Sequence, residues 1–181
     1  MKTIPTTISG LLIIEPKVFG DDRGFFFESF NEKIWAEQTG VSKRFVQDNH
    51  SKSGANVLRG LHYQMIKPQG KLVRVVSGEV YDVAVDLREG SPTFGKWEGC
   101  YLSAANKRQF WVPEGFAHGF LVVSDSAEFL YKTTDYYAPE DEHCIAWDDP
   151  ELAIDWPLVG EPILSAKDLR GTPFREAKYY D

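Results

Sequence analysis

Glycine and proline recur along the whole chain, and short segments that alternate between apolar and polar residues lie between them. That spacing predicts many short strands closed into an all-β sandwich or barrel. The strongest signal runs from Lys71 to Leu87. Leu72-Val73-Arg74-Val75-Val76 leads into Ser77-Gly78, after which Tyr81, Val83, Val85 and Leu87 alternate with Asp82, Ala84 and Asp86. An apolar run before the glycine and a period of two after it predict a hairpin. Further strands are predicted at Phe25–Phe30, Phe45–Ser51, Phe110–Val112, Gly119–Val123 and Glu128–Thr134. One early helix is predicted, with Asn31 as its N-cap, Ile34, Trp35 and Gln38 near one face, and Gly40 at its end. The segment from Pro139 onward is rich in turns, with a short helical stretch near Ala166–Leu169. A βαβ pattern, a GxGxxG loop and a Walker loop are all missing, which argues against nucleotide binding of those two kinds.

Composition narrows this picture. A chain of 181 residues predicts a single domain, 1–181. With 43% hydrophobic and 26% charged residues it reads as globular, and 14% aromatic residues suit both a barrel interior and a stacked ligand. The net charge of −7 argues against a nucleic-acid partner but leaves room for an anionic small molecule held by a few local cations. Cys100 and Cys144 form no CxxC pair, so two buried, reduced thiols in a cytoplasmic protein are expected. The apolar run Leu11–Ile14 is too short for a signal segment or a membrane span, so no membrane association is expected.

The candidate chemistry centres on two of the four histidines, His50, His62, His118 and His143. Pro113-Glu114-Gly115-Phe116-Ala117-His118 has the P-x-G-x-x-H spacing that resembles the second motif of the cupins. The fold expected from it is a cupin-like jelly-roll β-barrel with a few short helices. In cupins that hold a metal, the first motif supplies H-x-H and a downstream glutamate. Here it reads His62-Tyr63-Gln64, Met65 to Gly70 holds no carboxylate, and Lys71 and Arg74 follow. A divalent metal needs several histidine or carboxylate ligands, so neither a metal nor another cofactor is expected. Histidine, with an ordinary pKa of about 6.5, can accept a proton at neutral pH. An ammonium can stabilise an enolate oxygen, and a tyrosine can donate a proton. Together these describe proton transfer beside a carbonyl, with the tyrosine undetermined among several.

Ordered motifs then carry a family resemblance. They are Arg59-Gly60-Leu61-His62-Tyr63-Gln64, Gln69-Gly70-Lys71-Leu72-Val73-Arg74-Val75, Gly78 to Asp86, Val112 to Phe120 and Tyr131-Lys132-Thr133-Thr134-Asp135-Tyr136-Tyr137. With Asp22-Arg23-Gly24-Phe25-Phe26 at one end and Leu164-Ser165-Ala166-Lys167-Asp168 at the other, they resemble the dTDP-4-dehydrorhamnose 3,5-epimerases. That resemblance implies inversion of C3 and C5 of dTDP-4-dehydro-6-deoxy-D-glucose, giving dTDP-4-dehydro-L-rhamnose for dTDP-L-rhamnose biosynthesis. It implies His62 as base, Asp168 as its orienting partner, Tyr131 as acid on the opposite face and Lys71 at the C4 oxygen. It implies Arg23, Arg59 and Lys167 at the diphosphate, Glu28, Gln47, Asp48 and Asn49 at the nucleotide and sugar, Tyr137 on thymine, and Glu142 and His118 completing the pocket. It also implies a homodimer whose N-terminal segment contributes across the interface.

On pattern alone several of these residues read otherwise. Tyr131 reads as core, Lys71 as an edge cation, Asp168 as a helix-terminal acid, and Arg23 and Arg59 as surface charges. Glu28, Asp48 and Glu142 read as solvated carboxylates, and His118 equally as a pocket residue or a structural hydrogen bonder. A dTDP-sugar epimerase acting at one carbon, a non-catalytic nucleotide-sugar-binding barrel and a metal-dependent cupin oxygenase are the alternatives.

Overall fold

The computed structural model describes residues 1–181. Thirteen strands follow one another: β1 Lys2–Pro5, β2 Leu12–Glu15, β3 Phe19–Asp21, β4 Gly24–Phe26, β5 Gln47–Gly54, β6 Leu58–Gln64, β7 Lys71–Ser77, β8 Glu79–Asp86, β9 Trp97–Ser103, β10 Gln109–Val112, β11 Phe116–Val122, β12 Ser126–Thr133 and β13 Glu142–Cys144. Two sheets form the barrel, one ordered β1-β2-β10-β7-β12-β5 and the other β13-β6-β11-β8-β9, while β3 and β4 make a separate hairpin. This is the cupin-like β-barrel expected from the motifs.

The strands at Lys71–Leu87 are present, but they do not form the expected hairpin. β7 pairs with β10 and β12, whereas β8 pairs with β11 and β9. Gly78 is a corner between the two sheets. Its φ is +73°, and a Cβ there would lie 1.9 Å from the Ser126 carbonyl oxygen. The chain therefore turns into the opposite sheet rather than back on itself. Strand periodicity is local and was visible; the pairing partner is a non-local choice.

The period of two distributes side chains among three apolar clusters. Val73, Val75, Val80, Ala84, Phe110, Val112, Phe120 and Phe129 meet inside the barrel. Val83, Val85, Leu87, Ala117 and Leu121 point outward from the five-stranded sheet and are covered by Leu152, Trp156 and Phe174 of the C-terminal segment. The apolar stripe of β8 thus faces that cover, and Asp82 and Asp86 fall on its other side, both fully buried. On the outer face of the six-stranded sheet, Ile14, Leu72 and Trp111 pack against Trp35.

Trp35 comes from the predicted helix, α1 Glu32–Thr39. The Asn31 side chain accepts from the Ile34 N–H at 3.2 Å, and Gly40, with φ 72°, ends the helix. The predicted strand at Phe25–Phe30 shrinks to β4 and then gives way to this helix. β1, β2, β3, β6, β9 and β13 were not anticipated. The stretch near Ala166–Leu169 holds a short 3-10 turn, Asp168–Arg170.

Candidate active site

A cavity of about 540 Å³ opens between the two sheets, within the range typical of small-molecule sites. β6 carries His62 into it, between Cys144 on β13 and His118 on β11. The close approach of β6 and β11 needs two glycines. A Cβ on Gly60 would lie 2.6 Å from Gly119 Cα, and one on Gly119 would lie 2.6 Å from the Arg59 carbonyl oxygen. This explains physically why Gly60 precedes His62 by two residues and Gly119 follows His118.

His62 Nε2 lies 2.7 Å from Asp168 Oδ1. Ser165 Oγ donates to Asp168 Oδ2 at 2.6 Å, and the Gly60 N–H reaches Oδ1 at 3.3 Å. Burial alone would raise the Asp168 carboxyl, but these hydrogen bonds and the nearby imidazole outweigh it and hold it down at about 2. A carboxylate fixed in this way accepts only, so it orients the ring and favours a proton on Nε2. The free ring atom, Nδ1, faces Glu142 Oε1 at 3.9 Å. Glu142 is a junction: it pairs with Lys167 Nζ at 2.7 Å and accepts from the Tyr137 hydroxyl at 2.8 Å. Burial raises its carboxyl, yet the Lys167 and Tyr137 donors bring it below its ordinary value. The same Glu142 contact, with lesser help from burial, pushes the Tyr137 hydroxyl up to about 12.

The facing sheet contributes different groups. Lys71, Val73 and Val75 share the inner side of β7, which brings the Lys71 ammonium into the barrel, 3.4 Å from the His62 carbonyl oxygen. Burial pulls its pKa down to about 8, against the opposing pull of Glu142 and Asp82. Tyr131 lies on the inner side of β12, beside Phe129, and burial raises its pKa. Gln47, Asn49 and Ser51 line the cavity from β5. A ring nitrogen held by a carboxylate therefore looks across the cavity at a phenol, with an ammonium between the two sheets.

Comparison with known proteins bears on what this arrangement belongs to. Residues 5–176 match the family model described as dTDP-4-dehydrorhamnose 3,5-epimerase. A dTDP-4-dehydrorhamnose 3,5-epimerase of Pseudomonas aeruginosa is 62% identical over 177 residues, 98% of each chain. The chain belongs to the dTDP-4-dehydrorhamnose 3,5-epimerase family. Among solved structures, an epimerase of Legionella pneumophila in complex with dTDP-4-keto-L-rhamnose superposes with a TM-score of 0.96 at 58% identity, covering 98% of this chain and 94% of that one. A 3'-monoepimerase of Streptomyces bikiniensis in complex with dTDP-quinovose matches with a TM-score of 0.88 at 36% identity, covering 93% and 86%. The chain is thus an isomerase of the epimerase class. No helix in it is long and apolar enough to cross a membrane.

Of the residues that the epimerase resemblance singles out, His62, Lys71, Tyr131, Asp168, Gln47, Asn49, Arg59, His118, Tyr137, Glu142 and Lys167 all line this one cavity. Three do not. Asp48 falls between Gln47 and Asn49, so strand alternation sends it to the outer face, where it pairs with Lys132 at 2.8 Å. Arg23 sits on the β3–β4 hairpin, tied to Asp21, and Glu28 accepts from Asn31 beside the helix. Within one chain neither reaches the cavity.

Three contributors went unnoticed in the sequence. Ser165, three residues before Asp168, was readable as a capping-box spacing. Gln64, set aside as a missing metal ligand, is buried and fully engaged elsewhere. Its amide donates to the Lys67 and Tyr136 carbonyls at 2.6 and 3.2 Å and accepts from the Ala138 N–H at 3.0 Å. It rivets the segment that carries Tyr137. Cys144, expected as a buried reduced thiol, is only partly buried, and its sulfur lies within 4.8 Å of ligand atoms on His62 and Asp168. Burial first, then the Asp168 charge, pushes this thiol up to about 12, so it stays protonated.

Proposed function

We propose that this chain inverts C3 and C5 of dTDP-4-dehydro-6-deoxy-D-glucose by proton transfer between its two sheets, with no metal or cofactor taking part. The observation that carries the reading is the His62–Asp168 pair on one sheet facing Tyr131 on the other. The C4 ketone acidifies the neighbouring C–H bonds. His62 removes a proton from one face of the sugar, and charge develops on the C4 oxygen. The Lys71 ammonium, which lines the same cavity, can stabilise that oxygen. Tyr131 then delivers a proton to the opposite face, which completes the inversion. His62 has gained a proton and Tyr131 has lost one, and exchange with water restores both.

Arg59 and Lys167 at the rim suit the diphosphate, and Tyr137 suits the thymine face. Gln47 and Asn49 offer side-chain amides to the nucleotide and sugar, while His118 and Glu142 close the pocket. Arg23 and Glu28 enter this reading through a homodimer in which the N-terminal hairpin of one protomer reaches its partner's cavity. The exposed rings of Phe19, Phe25 and Phe26 on that hairpin, 53–66% accessible, support such a contact. The single domain, 1–181, supplies every other group.

Turnover in D2O tests this reading. Deuterium is expected at both C3 and C5 of the dTDP-linked sugar. Incorporation at one carbon alone would make the protein a mono-epimerase, and none at either would end the reading.

A further inference from the structure

We propose that Asp82 is a positioning residue for the reaction, holding His118 by its Nε2 and supplying from inside the barrel wall the negative charge that keeps Lys71 an ammonium. The inference rests on the role given above to Lys71.

Asp82 sits in the middle of β8, on the inner side of the sheet, in line with Val80 and Ala84 of the barrel core. It is 0% exposed. One oxygen, Oδ1, lies 2.8 Å from His118 Nε2. The other, Oδ2, is buried with no hydrogen-bond partner. An unpartnered buried carboxylate oxygen is costly, and an apolar residue or an asparagine would fill the place at lower cost. Such a group calls for a compensating interaction or a function.

Lys71 supplies the counterpart. Its ammonium has three donors but only one long contact, to the His62 carbonyl at 3.4 Å. The rest of its charge depends on carboxylates at a distance. Glu142 is one, but its charge is already committed to Lys167 at 2.7 Å. Asp82 is the other: it opposes the effect of burial on Lys71, while burial raises the Asp82 carboxyl itself against the pull of His118 first and Lys71 after it. The carboxylate also sets the His118 ring. A carboxylate can only accept, so Nε2 carries the proton shared with Asp82, and Nδ1 is the ring atom left for the cavity. Asp82 thereby acts on both Lys71 and His118 without touching the substrate.

Asp82→Asn tests this, because it keeps the shape and an acceptor for His118 while removing the charge. The groups facing Lys71 are Glu142 on β13, Lys167 on the C-terminal segment, His62 on β6, His118 on β11 and Tyr131 on β12, and all stay in place. In the parent enzyme kcat is expected to fall above about pH 8, where Lys71 loses its proton. Without the Asp82 charge that loss comes at lower pH. The alkaline limb of kcat is expected to move down by about half a pH unit or more, with kcat about tenfold lower at pH 8 and closer to the parent value at pH 6.5. KM and the affinity for dTDP are expected to stay within about threefold of the parent, since Asp82 contacts neither. A pH profile that superimposes on the parent's would overturn the inference. So would an equal loss at every pH together with lost dTDP affinity, which is the mark of a merely structural role. Lys71→Met, measured alongside, separates the two levels. If it retains full exchange, the role of Lys71 itself falls; if it is inactive while Asp82→Asn behaves as the parent, only the inference about Asp82 falls.

Discussion

The two sheets that enclose the cavity are supported differently, and they carry different chemistry. The five-stranded sheet holds His62, and its outer face is sealed by Trp156, Leu152, Phe174 and Ile145 from the C-terminal segment. That same segment returns Asp168 and Ser165 to the cavity, so one stretch of chain both covers the sheet and orients its histidine. The six-stranded sheet holds Lys71 and Tyr131. Its outer face is covered only in part, by Trp35 of α1 against Ile14, Leu72 and Trp111. Beyond the helix that face is polar, with Asp48 and His50 on β5 and Lys132 on β12. His62, the proposed base, is therefore fixed by a hydrogen-bonded relay on a well-buried wall. Tyr131, the proposed acid, and Lys71 are placed mainly by strand alternation on a more open one.

That contrast can be broken at either wall. The largest effect is expected from His62→Ala. Removing the base should lower deuterium exchange at both carbons by about a thousandfold or more, while dTDP still binds, because Arg59, Lys167 and Tyr137 remain. Binding by calorimetry beside exchange by mass spectrometry checks this, and substantial residual exchange would contradict it. A much smaller effect is expected where Gln64 steadies the Tyr137 segment. Gln64→Ala leaves the Ala138 N–H and two carbonyls to find other partners, and should raise KM about three- to tenfold with kcat little changed. A fall in kcat at constant KM would instead place Gln64 in the chemistry.

Much of this was legible in the chain. Asn31 and Gly40 marked both ends of α1 because helix caps are set by neighbouring residues. Alternation from Tyr81 to Leu87 indicated which residues of β8 share a face. The route across Gly78 was not legible, because a glycine permits a hairpin turn and a sheet-to-sheet corner equally. For the site, the ordered motifs named the residues, but local pattern alone read Tyr131 as core and Asp168 as a helix-terminal acid. Both readings are true as far as they go: Tyr131 packs on Phe129, and Asp168 starts a 3-10 turn. The proposed role of each depends on His62, about 70 to 106 residues away along the chain. The glutamine at position 64 was weighed only as a missing metal ligand, and its work on the loop became visible only with Tyr136 and Ala138 beside it. Asp48 shows the reverse error, where a contiguous motif hid the alternation that turns its middle residue outward.

The central claim is that proton removal and proton delivery belong to opposite walls. Tyr131→Phe tests it most directly, by comparing the rate at which solvent deuterium enters C3 and C5 with the rate at which those centres invert. With His62 intact and the phenol gone, exchange should survive better than inversion, by about tenfold or more, as His62 returns protons to the face from which it took them. Equal loss of exchange and inversion would contradict the account and remove Tyr131 from the acid's role.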